Sequence, residues 1–128
     1  MKVLGIGIDI IENKRIQNLI KNKSFIKRTF GKNEFNFAKK TLNKTNYFAK
    51  RFAAKEAFAK SLGTGFRDNL NFKDIEVLND KIGKPYYFRS KKIDEIIKKK
   101  FKIKKFNLFL SISDEKDYSV AFTIIQTK

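Results

Sequence analysis

Cysteine, histidine and tryptophan are absent from this chain, and proline occurs once. Without cysteine the chain can form no disulfide, thiolate nucleophile or cysteine-based zinc site, and nothing requires an oxidising compartment, so we expect a cytoplasmic protein. Without histidine it lacks the usual general base and the Ser-His-Asp and Cys-His arrangements. Any chemistry must therefore depend on carboxylates, lysines, hydroxyls and water.

Hard cations remain available to a chain of this composition. Magnesium takes oxygen ligands, mostly carboxylates, phosphates and water. A magnesium ion held by carboxylates is therefore the catalytic apparatus that the residue types still permit.

Linker-like stretches and long apolar runs are also missing. No segment is rich in Pro, Gly or Ser, so we expect residues 1–128 to form a single domain. The opening MKVLGIGIDIIE contains Asp9 and Glu12 and is too short and too acidic for a signal peptide or a membrane span. We expect a mature N-terminus and no membrane association.

Negative charge is scarce relative to positive charge. The chain has 30 Lys and Arg residues against 13 Asp and Glu residues, for a formal net charge of +17. Such a charge attracts nucleic acids, phosphorylated ligands and acidic proteins alike. Lysine greatly outnumbers arginine, a pattern that biased codon usage produces equally well. Charge alone leaves the class of partner open.

The segment from Val3 to Ile10 alternates in the pattern of a buried strand. One face carries the apolar side chains of Leu4, Ile6, Ile8 and Ile10. The other face is nearly bare, because Gly5 and Gly7 lie beside Asp9. These glycines indicate either room for a ligand or a close crossing of another backbone.

Helical spacing and turn residues divide the rest of the chain. Asn13 is placed to cap a helix that buries Ile16 and Leu19. The elements that follow are one or two short helices in Lys23–Lys40, a long helix from about Tyr47 to Leu62 that Gly63 ends, a hairpin of Ile75–Leu78 and Tyr86–Phe88, a helix over Lys91–Lys102, and a hairpin of Phe106–Ser113 and Tyr118–Ile125. This order predicts an α+β fold with a mostly antiparallel sheet packed against helices.

Two carboxylates are candidates for chemistry. On the long helix, Glu56 lies within an apolar face and therefore needs a cation. A salt bridge to Lys60, one turn further on, is the simpler explanation, and a metal ion is the other. Asp9 alone is typical of a helix cap or turn. Together, Asp9 and Glu56 indicate a divalent cation site, where Lys60 would neutralise a phosphate.

Glycine-rich phosphate motifs are not matched. The GIG of residues 5–7 lacks the third glycine of the dinucleotide-binding motif, and Gly83-Lys84 is followed by Pro85 rather than by Ser or Thr. Rossmann and P-loop sites are thereby excluded.

Four motifs resemble, in order and spacing, the holo-acyl-carrier-protein synthase family of small phosphopantetheinyl transferases. They are GIGIDIIE at residues 5–12, RFAAKEAFAKSLGTG at residues 51–65, GKP at residues 83–85 and LSISDEKDYSVA at residues 110–121. The second motif is the specific one. The resemblance implies a phosphopantetheinyl transferase-like fold, a homotrimer with active sites between subunits, and transfer of phosphopantetheine from coenzyme A to a serine of an acyl carrier protein in fatty acid biosynthesis.

The resemblance also implies roles for individual residues. Asp9 and Glu56 would hold magnesium against the coenzyme A diphosphate, and Lys60 would contact phosphate and assist departure of adenosine 3',5'-bisphosphate. The nucleotide would be bound by Arg51, Lys60, Gly63, Thr64, Gly65 and Lys84. The acidic carrier protein would dock on basic side chains of the first helix, namely Lys14, Arg15 and Lys21.

One position departs from the family pattern in an informative way. Related sequences commonly carry His where this chain has Asp114, and another His where it has Phe109. Because a carboxylate near a phosphate repels it, we expect nearby lysines to compensate the charge of Asp114.

Two other classes of function fit part of the pattern. A basic nucleic-acid-binding domain would explain the charge and the aromatics, but most Phe residues follow apolar periodicities that favour a core, so no nucleic acid is expected. A non-enzymatic docking protein would bind acidic carriers without turnover.

Overall fold

Two antiparallel sheets and five helices make up residues 1–67 and 69–128, the part of the chain that the computed structural model describes. The elements are β1 (Val3–Glu12), α1 (Asn13–Leu19), α2 (Lys23–Thr29), α3 (Lys32–Ala38), α4 (Lys44–Ser61), a 3₁₀ turn (Phe72–Asp74), β2 (Val77–Asn79), β3 (Pro85–Tyr87), α5 (Lys91–Phe101), β4 (Phe106–Asp114) and β5 (Tyr118–Thr127). The predicted α+β class is confirmed. Among the described residues, no helix has the length and apolarity that a bilayer crossing requires.

The larger sheet has the strand order β1-β5-β4, and its strands pair antiparallel. Asp9 pairs with Ala121, and Ile8 pairs with Phe122. Because successive side chains of a strand alternate, Asp9 faces one side of the sheet and Ile8 faces the other. The smaller sheet is the predicted hairpin of β2 and β3. Helix α4 packs on the inner face of the larger sheet and contributes more core residues than any other described element.

The close contact of α4 with β1 depends on Gly5 and Gly7. A Cβ atom on Gly7 would lie 1.9 Å from the carbonyl oxygen of Ala57, and one on Gly5 would lie 1.9 Å from that of Ser61. Of the two explanations for these glycines, the close backbone crossing is therefore correct. The bare face of β1 is filled by helix, not by a ligand.

Helix α4 is bounded by two local signals. The Asn43 side chain accepts a hydrogen bond from the Asn46 N–H at the start. At the other end Gly63 takes φ +79°, a left-handed conformation that glycine adopts without strain, and its N–H bonds the Lys60 carbonyl. The long predicted helix is confirmed and begins one turn earlier than expected.

A buried ion pair joins α4 to α3. Lys55 Nζ lies 2.6 Å from Glu34 Oε1, and both side chains are fully buried. Desolvation raises the pKa of Glu34 and lowers the pKa of Lys55, while their mutual attraction opposes both shifts. Lys55 also donates hydrogen bonds to the carbonyls of Phe72 and Ile75. Glu34 accepts hydrogen bonds from the N–H groups of Gly31 and Val77. The pair thus ties four segments together.

Two sequence-based expectations are wrong at the start of the chain. The apolar face of β1 was expected in the core, yet Ile6, Ile8 and Ile10 are each about 60% exposed, because the core lies against the opposite, glycine-bearing face. Asn13 does not cap α1, since Glu12 precedes the helix. The buried Asn13 side chain instead donates to the carbonyls of Glu115 and Lys116 in the β4–β5 turn.

We predict that Lys55→Met lowers the free energy of unfolding by about 3–5 kcal/mol, because it leaves a buried carboxylate without its cation. Adding Glu34→Gln should recover part of this loss, since the amide carries no charge and its oxygen still accepts a hydrogen bond. Urea denaturation of the two single variants and the double variant measures the coupling. Additive losses would show that the two side chains do not depend on each other.

Candidate active site

Asp9, Glu56 and Lys60 meet where β1 crosses α4. Lys60 Nζ donates hydrogen bonds to Asp9 Oδ1 and to the Ile8 carbonyl oxygen, both at 3.1 Å. Lys60 is thus the ion-pair partner of Asp9, and the expected Glu56–Lys60 salt bridge is not formed. Asp9 lies mid-strand and caps no helix, so that simpler explanation is also wrong. The structure brings together the three residues that the motifs single out.

The Glu56 carboxyl has an unusual electrostatic environment. Partial burial raises its pKa, the negative charge of Asp9 raises it further, and the positive charges of Lys60 and Arg15 act in the opposite direction. Among the described residues, no donor hydrogen-bonds to this carboxyl. Two carboxylates close enough to disfavour each other's charge gain most from a shared cation.

The donor set of this pair suits magnesium. Both ligands are hard carboxylate oxygens, and magnesium characteristically takes one or two protein carboxylates and completes its shell with water and substrate phosphates. No group of three or more acidic, His or Cys side chains with ligand spacing occurs in residues 1–67 and 69–128. A closed, all-protein metal cage is therefore absent from this part, and an open site shared with a phosphate is what the residues fit.

The basic residues expected to receive a carrier protein lie along and just beyond α1. Lys14, Arg15 and Lys21 are all exposed, and none of them pairs with a carboxylate of the described chain. Arg15 is near enough to Glu56 for its charge to lower the pKa of that carboxyl. This end of α1 therefore borders the carboxylate pair.

Arg51 lies in a different place. Its side chain is buried beside Asn79, which accepts a hydrogen bond from Nη2, and burial lowers the pKa of the guanidinium. A surface cavity of about 510 Å³ borders Arg51 and the turn of the β2–β3 hairpin. Lys84 follows that turn with its side chain exposed, and its N–H donates to Asp80 Oδ1 at 2.9 Å.

The turn of Gly63, Thr64 and Gly65 lies at the other end of α4. Thr64 borders a separate groove of about 480 Å³, whose other lining side chains include Arg67, Lys92, Lys99 and Lys100. Arg51 precedes Gly63 by twelve residues, roughly 18 Å along a helix axis. One copy of the chain therefore does not bring Arg51 and this turn together.

Asp114 is held by a neutral partner. Its Oδ2 accepts a hydrogen bond from Asn46 Nδ2 at 3.0 Å, and within the described ranges no Lys or Arg forms a salt bridge with it. The one hydrogen-bond partner of this carboxylate among the described residues is a neutral amide, and compensation of its charge by nearby lysines stays a prediction. Phe109, the other departure, lies half-exposed on the outer face of the sheet.

Sequence reasoning missed several residues around these cavities. Asn46 and Asn79 are isolated amides with no motif around them, and only tertiary structure shows their partners. The lysines of α5 belong to no motif, yet Lys92, Lys99 and Lys100 line the groove beside Thr64. Lys99 and Lys100 follow Lys92 by seven and eight residues, a spacing that places all three on one face of a helix. That spacing was the signal from which a basic helix face could have been predicted.

Comparison with known proteins agrees with this geometry. A model of the 4'-phosphopantetheinyl transferase superfamily matches residues 5–123. This chain belongs to that superfamily. A holo-[acyl-carrier-protein] synthase of Pelagibacter ubique is 62% identical to it over 128 residues, which cover 100% of both chains. The family predicted from the four motifs is thus confirmed, and the chain is a phosphopantetheinyl transferase.

Solved structures of superfamily members have the same fold. The holo-(acyl-carrier-protein) synthase of Bacillus anthracis, in complex with CoA (3',5'-ADP), has 37% sequence identity and a TM-score of 0.82 with 100% of both chains covered. The holo-[acyl-carrier-protein] synthase of Neisseria meningitidis has 37% identity and a TM-score of 0.87, covering 98% of this chain and 99% of that chain. The predicted phosphopantetheinyl transferase-like fold is confirmed.

We predict that Asp9→Asn lowers the pKa of Glu56 toward that of an ordinary glutamate, because it removes the neighbouring negative charge that raises it. The raised pKa means that Glu56 keeps its proton to higher pH than an exposed glutamate does. A carbon-13 NMR titration of the carboxyl in chelator measures the shift. Asp114→Asn is the matched control and should leave Glu56 unchanged, whereas an unaltered Glu56 pKa in Asp9→Asn would contradict the prediction.

Proposed function

We propose that this enzyme transfers 4'-phosphopantetheine from coenzyme A to a serine of an apo acyl carrier protein, giving the holo carrier and adenosine 3',5'-bisphosphate. The observation that carries the proposal is the meeting of Asp9, Glu56 and Lys60 at the β1–α4 crossing. These residues supply metal ligands and a cation in a chain that has no histidine or cysteine. We place the activity in fatty acid biosynthesis and in the cytoplasm, because a chain without cysteine forms no disulfide and does not require an oxidising compartment.

Asp9 and Glu56 would hold a magnesium ion. When bound, such an ion neutralises the diphosphate of coenzyme A and stabilises charge that develops during transfer. Lys60 holds its ammonium at Asp9 with a half-exposed side chain, so the cation is available to a phosphate oxygen on the open side. The ion pair with Asp9 keeps Lys60 at the site before substrate arrives.

The transfer needs no covalent enzyme intermediate. The serine oxygen bonds to the phosphorus nearer the pantetheine arm, the bond from that phosphorus to the bridging oxygen breaks, and adenosine 3',5'-bisphosphate departs with that oxygen. The serine proton passes to a carboxylate of the pair or to an adjacent water. Partial burial raises the pKa of Glu56, which favours this carboxylate as the acceptor of the proton. Lys60 offsets the charge that gathers on the leaving group.

The carrier protein would dock on α1 through Lys14, Arg15 and Lys21. All three cations are free of intramolecular salt bridges among the described residues, so an acidic partner loses no competing contact. Arg15 borders Glu56, and docking there brings the serine of the carrier to the carboxylates. Lys21 also edges a groove of about 990 Å³ whose floor includes Ile20, Ile26 and Phe30.

The nucleotide of coenzyme A would be held by Arg51, Lys60, Lys84 and the Gly63–Thr64–Gly65 turn. On one copy, the Arg51 cavity and the Thr64 groove are separate. A complete nucleotide site therefore needs a second copy that presents its Arg51 cavity toward the carboxylate pair of the first.

An exposed apolar sheet face supports a homotrimer. We call apolar sheet face the outward side chains of Ile6, Ile8, Ile10, Phe109 and Phe122, which are 38–62% exposed. The strand register puts them on one side of the larger sheet, opposite α4. A contiguous apolar patch of this kind marks an interface, and closing it around a threefold axis would place sites between subunits.

We predict that incubating the chain with apo carrier protein, coenzyme A and magnesium adds the mass of phosphopantetheine to the carrier. Chelator should abolish the increment, and Asp9→Ala or Glu56→Ala should lower its rate about a hundredfold or more, because each removes a metal ligand. Intact-protein mass spectrometry measures the product. Lys104→Gln, a change of an exposed charge between α5 and β4, is the control. Full activity of both alanine variants would refute the assigned site.

We predict that Ile8→Glu converts the trimer to a monomer, because it places a charge in the apolar sheet face. Light scattering after size-exclusion chromatography measures the mass. Leu42→Glu, a change of a fully exposed leucine outside that face, should leave the mass unchanged. A wild-type chain that elutes as a monomer at micromolar concentration would contradict the trimer.

A further inference from the structure

Arg51 is a buried cation without a counter-ion. Its side chain is 4% exposed, yet within the described part of the chain no carboxylate forms a salt bridge with it. Nη2 donates to the Asn79 side chain, and in residues 1–67 and 69–128 the buried Nε finds no hydrogen-bond partner. Burying a charged group without a counter-ion is costly. The surrounding structure must therefore hold the Arg51 side chain in place, and a bound anion would offset the cost.

The Tyr47 ring enforces that position. The Arg51 Cζ atom lies 3.8 Å from the ring centroid, a close cation–π contact one helical turn apart on α4. The ring is buried, and the Tyr47 hydroxyl also donates to the Glu34 carbonyl oxygen at 2.6 Å. Phe37 stacks near the ring at a centroid distance of 6.0 Å. Contacts with α3 therefore position the Tyr47 ring, and the ring in turn positions the Arg51 guanidinium.

The cavity beside this pair is built for an anion. Tyr47, Arg51 and Asn79 line it together with Lys50 and Lys81, and its single lining acid is Asp80 among the described residues. The Asp80 carboxylate already accepts hydrogen bonds from the N–H groups of Ile82 and Lys84. Among the described residues, the cavity thus presents three cations against one carboxylate.

We infer that Tyr47 is a positioning residue for nucleotide binding: its ring holds the guanidinium of Arg51 ready for the 3'-phosphate of coenzyme A. This inference depends on the proposed function. In the proposed function the diphosphate lies at Asp9, Glu56 and Lys60, where the carboxylates would hold the metal ion. The 3'-phosphate is the remaining anionic group of that substrate. A guanidinium that is already immobilised loses less freedom when it binds a phosphate.

Isothermal titration with adenosine 3',5'-bisphosphate and with adenosine 5'-monophosphate separates the 3'-phosphate from the rest of the nucleotide. Tyr47→Leu removes the ring and should weaken the bisphosphate about tenfold while changing the monophosphate less than about twofold. Tyr47→Phe keeps the ring and should hold bisphosphate affinity within about twofold. In an Arg51→Ala background, Tyr47→Leu should have no further effect, because the ring acts through Arg51.

The same variants give a kinetic readout. Tyr47→Leu should raise the KM for coenzyme A and leave unchanged both the KM for carrier protein and the KM for dephospho-coenzyme A, which lacks the 3'-phosphate. Equal losses for both nucleotides, additivity with Arg51→Ala, or a Tyr47→Phe variant as weak as Tyr47→Leu would each overturn the inference. Should Tyr47→Leu fail to fold, as judged by its Tm, Tyr47→Met replaces it with similar volume and no ring.

The two proposals fail separately. If the wild-type chain binds adenosine 3',5'-bisphosphate in a Tyr47-dependent way but modifies no carrier, the proposed transferase activity is refuted and the phosphate site stands. If it modifies the carrier and Tyr47→Leu discriminates the two nucleotides no differently from wild type, the role of Tyr47 is refuted and the activity stands.

Discussion

The ion pair of Lys55 and Glu34 is the constraint on which the positions of the site residues depend. It is fully buried and satisfied by backbone groups of Gly31, the 3₁₀ turn and β2, so it fixes both the depth and the rotation of α4. Rotation is the important quantity, since a helix that turns by one residue moves each side chain by about 100°. With Lys55 held inward, Glu56 must face β1 and Arg51 must face the β2–β3 hairpin.

The glycines of β1 set the distance between that strand and α4. Because Gly5 and Gly7 let the strand approach the helix backbone closely, Asp9 lies within ion-pair distance of Lys60 and within electrostatic reach of Glu56. A side chain at either glycine would push the strand away and separate the carboxylates. The same glycines leave the core contacts to one face of β1. The isoleucines of the other face are consequently available to another copy.

Local patterns predicted the elements well and their surroundings less well. The long helix, both hairpins and the Asp9–Glu56–Lys60 set could be predicted, because helical periodicity, turn residues and motif spacing are properties of short segments. The exposure of Ile6, Ile8 and Ile10 could not, since alternation shows that a face is apolar and not which partner covers it. Glu34 and Lys55 are 21 residues apart, and Asn46 and Asp114 are 68 apart. Such pairs exist only once the chain has folded.

Asp114, where related sequences commonly carry His, places an acid beside the first turn of α4. Asn46 takes one oxygen of that carboxylate, and the next residue along α4 is Tyr47, whose ring holds Arg51. The first turn of α4 thus restrains the acid and positions the cation with adjacent side chains. An amide cannot neutralise a carboxylate, so the proposed phosphate site is expected to rely on cations that are held in place. A buried, ring-held Arg51 meets that requirement better than mobile surface lysines do.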